Sequence, residues 1–170
     1  MTATRPSRIP FSIAAAFLIS GLILFGASVQ NFVTSPSTLT FSSANPSGTS
    51  TKQATITYRV KKGTVGNPWT LTVNASSATF TNCSFLPASA VRVGCANVSA
   101  VGGGVPPTMS CSSPFNLSTS NGTAASGTLG SGVDSDFTVL IDYTLTDAWK
   151  YPGKISPSCA LTLNYTVAAY

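Results

Sequence analysis

The stretch Ala54-Thr55-Ile56-Thr57-Tyr58-Arg59-Val60 decides how this chain reads, because every second residue is apolar and those between are Thr or Arg. Successive side chains of a strand point to opposite faces. The run therefore puts Ala54, Ile56, Tyr58 and Val60 on one face and Thr55, Thr57 and Arg59 on the other, as a half-buried strand requires. Trp69, Leu71 and Val73 alternate likewise with Thr70, Thr72 and Asn74. Later, Phe137, Val139, Ile141, Tyr143 and Leu145, then Cys159, Leu161, Leu163, Tyr165 and Val167, repeat the pattern. These four runs predict a core of Ile56, Tyr58, Trp69, Leu71, Val73, Val139, Ile141, Tyr143, Leu161, Leu163 and Tyr165. Residues 38–42, 78–84, 90–98 and 114–119 are weaker strand candidates. About eight strands result, a number that suits an all-β, immunoglobulin-like two-sheet sandwich. Residues 102–107 and 121–132, rich in Gly and small hydroxylic side chains, are expected as loops. The segment 147–153, with Trp149 and Tyr151, is expected to plug one end of the sandwich or to form a binding tip.

Composition narrows the chemistry. Charged residues make up 8% of the 170, about a third of the usual globular share. Polarity is carried instead by 25 Ser and 23 Thr, which favour a pleated, half-exposed surface. The chain has no His and no Glu, and its acids are Asp134, Asp136, Asp142 and Asp147. General acid–base catalysis thus lacks its usual side chains, and nothing in the sequence groups the aspartates with a Lys or Tyr, so no catalytic residue and no enzyme activity is expected. The net charge of +5 is scattered apart from Lys61-Lys62, which is no nucleic-acid footprint.

The N-terminus reads as an export or membrane signal. Arg5 and Arg8 precede residues 9–33, which carry no charge and include Phe11, Ala15, Leu18, Leu22 and Phe25. A signal peptide of residues 1–28 would be cut after Gly26-Ala27-Ser28, leaving Val29 first. If retained, the apolar segment is long enough, at ~1.5 Å per residue, to cross a ~30 Å bilayer as a helix, or to pack with its copies inside a fibre. Residues 29–43 would follow as an extension, with Phe32, Leu39 and Phe41 as its apolar anchors, and residues 44–170 would form the sandwich.

Four cysteines in an exported chain predict two disulfides. Of three connectivities, Cys83 with Cys95 across a hairpin near Pro87, and Cys111 with Cys159, is favoured. Zinc is disfavoured: there is no C-x-x-C and no His, so no metal or cofactor is expected. Six of nine asparagines, Asn74, Asn82, Asn97, Asn116, Asn121 and Asn164, begin an N-x-S/T sequon, over twice the number that the Ser/Thr content gives by chance. Asn74 and Asn164 share the parity of neighbouring threonines and should face solvent. Asn82 and Asn97 share the parity of Phe80 and Val93, which points them inward on strict alternation.

A short basic leader, a long apolar segment and a charge-poor, sequon-rich β domain together resemble the layout of extracellular filament subunits, particularly archaeal pili and threads. The resemblance implies a homopolymer assembled through the N-terminal region, either by a helix spanning Phe11 to Phe25 or by a strand within Val29 to Phe41 lent to the next copy's sheet. The alternative is a membrane-anchored surface or envelope glycoprotein, or a binding module, on the same sandwich.

Overall fold

The computed structural model describes residues 28–41, 49–61, 66–102, 106–130, 134–146 and 159–170. Twelve strands occupy most of them: β1 (Val29–Ser35), β2 (Thr38–Phe41), β3 (Thr49–Val60), β4 (Pro68–Ala75), β5 (Thr79–Phe80), β6 (Cys83–Pro87), β7 (Val91–Val101), β8 (Thr108–Cys111), β9 (Phe115–Asn116), β10 (Gly122–Thr128), β11 (Ser135–Thr146) and β12 (Cys159–Ala169). Sheet I has the order β1-β3-β11-β7-β9 and sheet II the order β2-β12-β4-β10-β8, while β5 and β6 form a separate hairpin. All neighbours are antiparallel.

Alternation gives each sheet one apolar face, and these faces share a single core, an arrangement compatible with a β-sandwich. Every residue expected in that core is buried except Tyr165, which is half-buried at its margin. Aromatic rings join the sheets at the centre. Trp69 of β4 lies 4.8 Å from Phe137 and 6.1 Å from Tyr58, and Tyr58 stacks on Phe137 at 5.1 Å. Each such pair contributes ~0.5–1.5 kcal/mol beyond its buried area.

Three expectations are corrected. Residues 122–128 are not loop but β10, paired with β4 on one side and β8 on the other. A register shift between Thr123 and Ala125 turns both Ala124 and Ala125 inward, so no alternation marks the strand in sequence. Residues 29–43 do not precede the domain as a separate extension: up to Phe41 they supply the edge strands β1 and β2 of the two sheets. Finally, the disulfides are Cys83–Cys159 and Cys95–Cys111, rather than Cys83 with Cys95 and Cys111 with Cys159. The expected hairpin across Pro87 does not form, because β6 pairs back on β5 and the 3-10 turn Ala88–Ala90 carries the chain across to sheet I. The bridge between Thr81 and Ala160 sets Cys83 beside Cys159 instead.

Candidate functional site

The N-terminal segment closes one side of both sheets. β1 pairs with β3 from Val29↔Val60 to Ser35↔Thr55, with a bulge after Gln30 where Asn31 takes a φ of 51°. The chain then crosses to sheet II, where β2 pairs with β12 over only four residues, Thr38↔Thr162 to Phe41↔Cys159. Of the anchors, Leu39 and Phe41 are buried at 0% and 1% exposure, whereas Phe32 is 41% exposed on the open edge. Phe11, Ala15, Leu18, Leu22 and Phe25 lie outside the described residues, as does the segment 147–153.

A tyrosine relay holds the crossover. The Tyr143 hydroxyl donates to the Tyr165 hydroxyl at 3.0 Å, which donates to the Pro36 carbonyl at 3.4 Å. The Leu163 amide donates to the Ser37 carbonyl at 2.9 Å. Burial pushes the Tyr165 phenol up to about 12, with the Tyr143 hydrogen bond acting the other way. Burial also raises Tyr143, reinforced by Tyr165, and raises Tyr58, whose hydroxyl is the one buried side-chain polar atom without a partner among the described residues.

The sheets differ sharply in charge. Among the described residues every charged side chain belongs to β3, β7 or β11 or to the residue flanking one of them, all in sheet I, and sheet II has none. Asp136 receives Nε and Nη2 of Arg59 at 2.7 and 2.8 Å, which holds its carboxyl below the ordinary Asp value and raises the guanidinium. Asp142 accepts from Gln53 Nε2 at 2.9 Å. A cleft of about 220 Å³ beside the Asn31 bulge is lined by this ion pair with Thr57 and Thr138. Among the described residues no cluster of three Cys, Asp or Glu could hold a metal, and no helix is long and apolar enough to cross a membrane.

Sheet II presents hydroxyls and amides on its outer side. Asn164 and Asn74 are directly paired across β12 and β4, and Asn121 precedes the Gly122↔Val73 pair on β10. The three amides form a row: Asn164 Nδ2 donates to Asn74 Oδ1 at 2.9 Å, and Asn74 Nδ2 donates to Asn121 Oδ1 at 2.6 Å. The common parity of Asn74 and Asn164 was visible in sequence; that β4 and β12 are neighbours was not. Asn116 is exposed on β9, and Asn82 and Asn97 are exposed too, against strict alternation. Asn82 sits in the β5–β6 turn at a φ of 65°, and an extra residue in β7 between Cys95 and Asn97 resets the parity there.

No free cysteine is found among the described residues, and two disulfides indicate an oxidising, extracellular setting. No known protein family, curated protein or solved structure matches the chain.

Proposed function

We propose that this chain is a structural subunit of an extracellular filament, a homopolymer in which the N-terminal segment joins one copy to the next. One observation carries the reading: the strand beside β12, at the edge of sheet II, comes from the N-terminus. Immunoglobulin-like sandwiches set strands A, B, E and D in one sheet and C, F and G in the other. Reading β1, β3, β11 and β7 as A, B, E and D, and β4 and β12 as C and F, leaves no described strand after β12 to act as G. β2 lies where G would pair. A strand whose place is normally filled from the far end of the chain can be filled from another chain, since the ladder needs only its backbone and the core only Leu39 and Phe41. The charge-poor, hydroxylic exterior, the disulfides and the sequons support an exported, glycosylated structural protein over a catalyst.

Negative-stain microscopy of the native cell surface tests the filament. A chain beginning at Ser43 tests the mechanism: it should fail to fold alone and recover when a peptide of residues 28–41 is added. A stable, monomeric truncated chain, with native material also monomeric, would overturn the reading and favour a surface-anchored glycoprotein.

A further inference from the structure

We propose that the Asn164–Asn74–Asn121 row is an N-glycan attachment site with a built-in choice, in which Asn121 carries the glycan and the two nitrogen donors stay bare. The inference rests on the exported reading above. The transferred group is an oligosaccharide held through its anomeric carbon on a polyprenyl phosphate. Asn Nδ2 forms the new bond to that carbon, the carbon–oxygen bond to the lipid phosphate breaks with its electrons leaving on the phosphate, and one Nδ2 proton goes to the transferase's base. The modified amide keeps a single N–H.

The three sequons are unequal because the row is directional. Asn74 Nδ2 points at Asn121 Oδ1 from 2.6 Å, and Asn164 Nδ2 points at Asn74 Oδ1 from 2.9 Å. A sugar on Asn74 would enter a slot flanked on both sides at the ~4.8 Å strand spacing, narrower than a hexose with its hydroxyls, and would leave its nitrogen a single N–H for the bond to Asn121. Asn164, exposed on β12, likewise has one of its two N–H groups committed, to Asn74. Asn121 contributes only its carbonyl oxygen, which glycosylation leaves in place, and it stands exposed ahead of β10. A chain modified there folds with both amide bonds intact.

The test is site occupancy in the full chain secreted from an N-glycosylating host, read by mass spectrometry after enzymatic glycan release in heavy-oxygen water, which marks each occupied Asn as labelled Asp. Asn121 labelled with Asn74 and Asn164 unlabelled is the expected result. Asn121→Gln should then lower the glycan count by one, whereas Asn74→Gln should leave it unchanged. Label at Asn74 or Asn164 equal to that at Asn121 would overturn the proposal. Glycans at Asn82, Asn97 or Asn116 with Asn121 bare would overturn it alone, whereas no glycan on any of the six would overturn the glycoprotein reading with it.

Discussion

Gly127 occupies a point where β10 passes between Trp69 and β8, and a Cβ there would run into the Thr108 carbonyl while closing on Trp69 Nε1. That carbonyl is the acceptor of the Trp69 indole at 3.2 Å, so it has a partner to lose by moving. Gly127→Ala is therefore expected to destabilise by ~1–3 kcal/mol in urea unfolding, as overpacking against backbone does, while Ser126→Ala beside it stays within ~0.5 kcal/mol. The tyrosines set the response to alkali. Burial favours the neutral phenol, so an unfolded Tyr ionises near pH ~10 and Tyr165 in the fold only near about 12. Its contribution is complete below pH ~10 and is lost as pH rises through that window. Thermal melts between pH 8 and 12 should show stability falling above pH ~10, and Tyr165→Phe should flatten the decline. At the acid end Asp136 has the opposite sign: Arg59 holds its pKa down, so the benefit is complete above the ordinary Asp range and is lost as pH falls below that range, through the depressed folded value.

At the level of elements, the disulfides differ in what they close. Cys83–Cys159 spans 76 residues and Cys95–Cys111 spans 16, worth roughly 4.5 and 3 kcal/mol on the chain-entropy account. Peptide mapping without reduction should recover these two pairs, and the Cys83→Ala/Cys159→Ala double variant should lose more stability than the Cys95→Ala/Cys111→Ala one. The pairing could not be read from sequence because it depends on which strands lie side by side. What could be read was burial parity. β3, β4, β11 and β12 declared themselves because each alternates without interruption over its inward residues. β10 and β8 did not: one has two consecutive inward alanines at a bulge, and the other is the four residues Thr108–Cys111 with only Met109 half-buried. The candidate site was legible by the same rule. Leu39 and Phe41 were picked out as apolar anchors and Asn74, Asn121 and Asn164 as sequons, but the amide row and the tyrosine relay each include a bond between residues 90 or more positions apart, so their pairing left no local trace.

For the molecule as a whole, stability rests on the shared core and the disulfides, with the bidentate Arg59–Asp136 ion pair exposed on sheet I. Salt screens such exposed pairs and leaves apolar burial nearly untouched. The melting temperature should accordingly shift by no more than about a few degrees between low and ~0.5 M salt; a large drop would show that charge holds the fold. The position of β2 has a kinetic corollary. A copy that keeps this strand in its own sheet II already occupies the place into which a neighbour's strand would go. In the proposed filament each subunit is then its own competitor, and joining two of them would first require one to withdraw Leu39 and Phe41 from the core. At high protein concentration the speed of fibre growth would stop rising with concentration and level off at the rate of that withdrawal, so that the subunit itself sets the clock for its assembly.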